Sequence, residues 1–301
     1  MNRKHLWPYA AMALAMTTVG STIVASKMMA QMPIFVAMLA RFAVASMLLI
    51  ALLWVLRKPW PRLLPASWRL LVAQAFVGSV GYSALLLLGL GLTSAADASV
   101  ITGALPALGA LLAVFVLGER LSPAGWGAVA LAVLAMVLLQ TGRGSSGGGD
   151  ATHLGGNALV LAAVACEAVF LLLNKRLREP IDPLWMAALM STFSLALCAP
   201  FALVQLTLAS GPSFSSSALW AAVYYALVPT TLGFWLWYSG SSQVSGAQAG
   251  IFTALLPVSG LLLSAAWFAE PVEPRHWFGV GLAVLAIVIG TAMKPSPPAA
   301  G

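Results

Sequence analysis

Residues 104–126 read "ALPALGALLAVFVLGERLSPAGW", and residues 254–277 read "ALLPVSGLLLSAAWFAEPVEPRHW". Each is an apolar run, then an acidic corner, then a proline that opens a new run. Laid over each other at an offset of 151, Thr102 meets Thr253, Pro106 meets Pro257, Gly109 meets Gly260 and Glu119 meets Glu270. Past the corner, Pro123 meets Pro274, Trp126 meets Trp277, and "LAVLA" at 131–135 recurs at 282–286. Gly89 and Gly240 fall in the same register upstream. Two Ala/Leu-rich helices share "LAVLA" by chance; matched proline, glycine, glutamate and tryptophan in one register mark an internal repeat.

The repeat sits in a chain that lacks a water-compatible surface. Of 301 residues, 61% are hydrophobic and 8% charged, against about 25% charged in a soluble domain. Apolar runs long enough to span a bilayer cover approximately 7–26, 33–56, 68–90, 95–117, 123–141, 154–174, 183–207, 217–239, 245–268 and 274–293. The breaks are "RKPWPRLLP" (57–65), "GRGSSGGGD" (142–150), "KRLREPIDP" (175–183) and "SGPSFSSS" (210–217). This is the pattern of an all-α polytopic membrane protein of ten helices. The first run follows basic residues as a signal peptide does, but it is long enough to span and has a counterpart in the second half, so it is expected to be retained.

Charge tests the count. Arg3, Lys4, Arg57, Lys58, Arg62, Arg69, Arg120, Lys175, Arg176, Arg178 and Lys294 fall on the side of the N-terminus, eleven in all, against Lys27, Arg143 and Arg275 on the other. The positive-inside rule then puts both termini in the cytoplasm. The net charge of +7 reports orientation and contact with anionic headgroups, since the basic residues form no stripe for a nucleic acid.

Five runs per repeat is an odd number, so the second copy enters the membrane upside down. The expected organisation is a first repeat over 1–141, a Gly/Ser-rich loop over 142–153, a second repeat over 154–293 and a disordered tail over 294–301. Inverted repeats are the mark of alternating-access transporters, because similar halves that exchange roles give two states of comparable energy.

On "GSTIVASK" (20–27), Pro33 with "RF" at 41–42, "P…LGERLSPAGW" and the looser "P…FAEPVEPRHW", the chain resembles the drug/metabolite transporter superfamily, EamA type, over nearly its whole length. The resemblance implies ten helices in two inverted five-helix repeats around a central cavity, working as a secondary carrier of small metabolites across the cytoplasmic (inner) membrane. Many relatives carry Trp just before "GST", where this chain has Val19, so its substrate choice is expected to differ from theirs.

Ionisable residues inside apolar runs are costly, ~3 kcal/mol at the bilayer centre on insertion scales, and so are candidate functional groups. Glu167 lies about 13 residues, or ~20 Å, into its run. It is a candidate for binding a coupling proton or a substrate amine, with a structural ion pair or hydrogen-bonded buried acid as the alternative. Arg41, roughly 12 Å into its run, either clamps a substrate carboxylate or is a fixed charge paired with an acid or capping carbonyls. Asp97 opens a run, where an acid faces the helix dipole or guards a cavity mouth; its repeat counterpart is Gln248. Tyr82 and Tyr224 are candidate cavity aromatics. The hydroxyls of Thr17, Thr18, Ser21 and Thr22 either face the cavity or bond back to helix carbonyls. Pro106 and Pro257 are expected to bend their helices mid-run. Glu119 and Glu270 are gate corners by resemblance, bonding nearby amides and Trp126 or Trp277. Lys27 and Lys175 read as interfacial anchors.

Other classes find little support. His5, His153 and His276 stand at run ends with no nucleophile or metal-ligand spacing, and Cys166 and Cys198 have no disulfide or metal pattern. No G-x-x-x-x-G-K-[ST] motif occurs, so no ATPase subunit is implied. No cofactor or metal is expected. The expected partners are a small solute, lipid and protons, and the rivals are a structural or receptor-like membrane protein and, behind it, a membrane enzyme.

Overall fold

The computed structural model describes residues 3–30, 32–117, 123–140, 149–177, 179–208, 215–243, 252–270 and 272–292. Among them the regular structure is entirely helical: α1 (Arg3–Met29), α2 (Ile34–Val55), α3 (Pro65–Leu92), α4 (Ala95–Thr102), α5 (Leu105–Leu117), α6 (Pro123–Gln140), α7 (Gly149–Lys175), α8 (Pro183–Leu208), α9 (Ser216–Ser241), α10 (Leu255–Phe268) and α11 (Pro274–Ala292). Six of these, α1, α2, α3, α7, α8 and α9, are long and apolar enough to cross a membrane on their own. Helix starts follow the local chemistry. Proline opens α3, α6, α8 and α11, where its missing N–H costs nothing. Ser94 and Ser215 cap α4 and α9, their hydroxyls accepting from Asp97 N (3.0 Å) and Ala218 N (3.2 Å). α7 starts at Gly149, so helix takes in residues that composition assigns to the loop.

The run 95–117 is broken rather than bent. Pro106 has no N–H to reach the Thr102 carbonyl. The ladder therefore closes with tighter bonds, Gly103 N to Val100 O (3.0 Å) and Ala104 N to Ile101 O (3.0 Å), and restarts as α5. The second half repeats this at Thr253–Ala254, just ahead of α10. Pro106 and Pro257 thus stand in the first turns of restarted helices, which corrects the mid-helix bend expected of them. Two π-helical stretches, Ala75–Gly81 in α3 and Ala226–Gly233 in α9, begin in the same 151-residue register. Pro229 supplies no N–H to the second, and Thr231 Oγ1 donates to the Ala226 carbonyl at 2.8 Å.

Packing crosses between the two halves. α2 lies along α8, α6 along α11, α3 along α7, and α1 along α9 and α10. The crossings rest on glycine. A Cβ on Gly20 of α1 would stand 2.9 Å from the Leu256 carbonyl of α10, and one on Gly89 of α3 would stand 2.9 Å from the Gly156 carbonyl of α7. Gly240 of α9 sits equally tight on the Pro8 carbonyl of α1, at 2.8 Å. Small residues are what let helix backbones approach where apolar burial cannot drive association. Ile23, Leu86, Leu90, Val160 and Leu261 fill the central core. Trp54, Phe115, Leu208, Trp220 and Phe278 point outward, exposed, as residues facing acyl chains do.

Gly89→Val is expected to destabilise by about 1–3 kcal/mol through overpacking, read as a lower midpoint of thermal unfolding in detergent. Gly91→Val, two residues along where a Cβ meets nothing within 4 Å, should leave that midpoint nearly unmoved.

Candidate functional site

The centre of the bundle is a cavity of about 80 Å³, built from both halves. α1 contributes Val19 and Thr22, α2 Arg41 and Phe42, and α7 Glu167 and Phe170. The two π-helical regions supply most of the rest: Gly78, Ser79, Tyr82 and Ser83 from α3, and Tyr225, Pro229, Thr230 and Phe234 from α9. A π turn widens the helix and exposes backbone, a distortion common at functional sites. Gly78 faces Phe170 so closely that any Cβ there would collide with its ring.

Arg41 is 4% exposed, with its guanidinium carbon 4.1 Å from the centroids of both the Phe42 and Tyr225 rings. Its Nη2 donates to Ser83 Oγ at 2.7 Å, and its Nε has no hydrogen-bond partner. Glu167 is half-buried and makes no hydrogen bond or ion pair among the described residues. Among the described residues neither Arg41 nor Glu167 has an ion-pair partner.

Four of the sequence candidates therefore converge on one cavity: Thr22, Arg41, Tyr82 and Glu167. Others lie elsewhere. Tyr224 points away, 41% exposed, its phenol donating to Ser21 Oγ at 2.8 Å; its neighbour Tyr225 takes the cavity position. The Thr18 hydroxyl bonds back to Ala15 O at 2.7 Å. Glu119 and Gln248 lie outside the described residues. Ser79, Ser83, Phe170, Tyr225, Thr230 and Phe234 were not singled out by sequence; the aromatic and hydroxyl residues flanking Pro229 were the available signal.

Asp97 belongs to a buried corner where five segments meet. Lys27 Nζ donates to Leu90 O (2.8 Å) and Thr93 O (2.5 Å), closing the C-terminus of α3 instead of extending to water as an anchor. Thr93 Oγ1 donates to Asn157 Oδ1 at 2.5 Å. The Glu270 carboxylate accepts from Ala96 N (3.1 Å) and Ala95 N (3.4 Å), capping α4 from the other half of the chain, while Trp277 stays half-exposed. Asp97, fully buried, pairs with His276 at 3.1 Å. His276 Nδ1 accepts from Glu273 N (3.0 Å), so the ring proton lies on Nε2 and is donated to Asp97 Oδ1. Asp97 and His276 are 179 residues apart in the chain, which is why sequence missed the pair. Ala269, just before Glu270, holds a left-handed φ of 49° that turns the chain into the corner. Gly118 stands at the matching place in the first half.

A second set of contacts ties the α2–α3 link to the α7–α8 link. Glu179 accepts from Leu64 N (3.0 Å) and Ser67 Oγ (2.6 Å), and Lys58 pairs with Asp182 at 2.7 Å. Burial pushes the Asp182 carboxyl up, but Lys58 and the amides of Leu184 and Trp185 outweigh it and hold it below the usual aspartate value.

Residues 6–141 and 154–291 match the EamA-like transporter family. "Uncharacterized transporter YetK" of Bacillus subtilis (strain 168) is 34% identical over 301 residues, 99% of this chain and 90% of that protein. "Uncharacterized transporter YyaM" of the same organism is 23% identical over 230 residues, 75% of this chain and 74% of that one. A crystal structure that covers 96% of both chains has the same fold, with a TM-score of 0.65 and 21% identity.

His276→Ala is expected to cost about 1–3 kcal/mol by leaving Asp97 short of a buried partner, measured as a fall in the thermal midpoint of the purified protein.

Proposed function

This chain belongs to the EamA-like transporter family, and we propose that it carries a small metabolite, an amino acid or a hydrophobic amine, across the cytoplasmic membrane as a secondary exporter or exchanger. The observation that carries this reading is the cavity. A helical bundle has no structural use for an unpaired guanidinium and an unpaired carboxyl around one central space, and membrane-embedded ionisable residues of this kind mark solute and proton pathways. Glu167 binds a coupling proton or a substrate amine. Arg41 holds a substrate carboxylate, and Thr22 and Tyr82 orient the bound molecule. With no nucleotide motif, the solute or proton gradient is the source of work.

Alternating access is proposed to arise from two inverted five-helix repeats, residues 1–141 and 154–293, joined by a loop over 142–153 and followed by a tail over 294–301. Three features support this. The π stretches start 151 residues apart, the breaks before Pro106 and Pro257 correspond, and Gly89 on α7 mirrors Gly240 on α1. α4 with α5 and the run leading into α10 then count as the fourth and ninth of ten spans. Both termini face the cytoplasm on the basic-residue bias. Lys27, Asp97, Glu270 and His276 close the outer mouth, and Glu119 and Gln248 stand at the corresponding inner one. Thr18 and Tyr224 act behind the cavity wall rather than on the solute.

Single cysteines in the loops that hold Glu119 and Glu270, in a chain without Cys166 and Cys198, test the topology. An impermeant thiol reagent added outside should label only the second; labelling of both would remove the inversion. A proteoliposome flux screen over amino acids, amines and sugars, with and without a pH gradient, tests transport. Saturable flux of at least one class is expected, and Glu167→Gln should lower it about 10-fold or abolish its pH response, given the magnitude of a lost charge-assisted contact. A mutant with unchanged rate and unchanged pH profile overturns the role given to Glu167.

A further inference from the structure

Asp97 and His276 are both ionisable, both buried in the corner at the start of α4, and neither lines the central cavity. We infer that this pair is a second proton-binding site, apart from Glu167, and that a proton taken up there releases the segment carrying Glu270 and Glu273 from α4 and so loosens the outer mouth. Only the word outer rests on the inverted topology proposed above.

The site is read from what each ring nitrogen does. His276 Nε2 donates to Asp97 Oδ1 at 3.1 Å, and Nδ1 accepts from Glu273 N at 3.0 Å. The ring is therefore neutral beside a carboxylate, and the pair carries one net negative charge where His276 is 3% and Asp97 0% exposed. Burying an uncompensated charge is costly. One proton on Nδ1 removes it, leaving imidazolium against carboxylate. That proton occupies the lone pair on which the Glu273 N–H depends. Nε2 keeps its bond to Asp97, so the ring stays on α4, two N–H groups now face each other, and the chain at Glu273 must move off.

The same segment is held to α4 three residues earlier, where Glu270 accepts from Ala96 N (3.1 Å) and Ala95 N (3.4 Å). A shift at Glu273 pulls on these bonds, and protonation of Glu270 at lower pH weakens them, so both act toward release. The remaining charges around the corner are Arg275, held by Glu273 at 3.1 Å, and Lys27 of α1, which attracts Glu270 while donating to the carbonyls of Leu90 and Thr93. α5, α6 and α10, which also pack on α11, contain no ionisable residue. The device is one-sided. At the offset of 151, Asp97 and His276 meet Gln248 and Gly125, neither of which titrates.

A nitroxide on Ala269→Cys, in a chain without Cys166 and Cys198, reports the segment; the position is exposed, and its left-handed φ of 49° treats Cys as it treats Ala. In the purified full-length protein in nanodiscs, the ratio of mobile to immobile label is expected to rise as pH falls from about 8 to about 5, the range in which imidazole changes charge. The slope should reach up to about tenfold per pH unit, as one proton gives. His276→Asn, whose amide oxygen can still accept from Glu273 N, should lose the slope, and Glu167→Gln should keep it. If His276→Asn does not fold, His276→Gln takes its place. A slope that persists without His276, a slope lost in Glu167→Gln, a label that tightens in acid, or no response overturns the site. In sealed right-side-out membrane vesicles, acid outside alone is expected to give the response. Acid inside alone giving it overturns the outer placement and leaves the proton site standing.

Discussion

In hydrocarbon an unmet backbone N–H or C=O has no water to turn to, so the helical ladder must close almost everywhere. This single demand accounts for most of the molecule. Serine and threonine hydroxyls fold back on carbonyls three or four residues earlier, as at Thr17, Ser99, Thr102, Ser194 and Ser264. Helix ends are finished by side chains from elsewhere: Lys27 on the end of α3, Glu270 on the start of α4, Glu179 on the start of α3. Two breaks and two π stretches depart from the α-helical ladder, and the π stretches line the cavity.

Charge is sorted by the same economy. At the corners, charged and polar groups meet partners across the two halves and hold segments distant in sequence together: Asp97 with His276, Lys58 with Asp182. In the cavity, charge is held by aromatic faces and a single hydroxyl, and its remaining capacity is left open. The first arrangement fixes shape. The second leaves the cavity charges without an ion-pair partner among the described residues.

Much of this was legible in the residues. Long apolar runs gave the helices, and the doubled Pro, Gly, Glu and Trp gave the register that recurs in the π stretches. Arg41, Glu167, Thr22 and Tyr82 were readable because a polar group in an apolar run is rare and costly. What escaped depended on phase and on distance. Tyr224 and Tyr225 differ by one position, about 100° around a helix, and only Tyr225 lines the cavity. His276 looked idle at a run end because Asp97 reaches it only through the packed bundle. Pro106 and Pro257 were legible as disturbances, but bending and restarting differ only in where the flanking turns close.

The wide turns at Ala75–Gly81 and Ala226–Gly233 amount to one surplus residue stored in each of two rods. Sliding that surplus along by one position rotates the intervening side chains by about 100° without melting the helix or exposing its amides to lipid. Tyr82 and Tyr225 border these stretches, so the walls of the central chamber can be re-dealt by a peristaltic shuffle within a helix, in addition to any rocking of whole helices against one another.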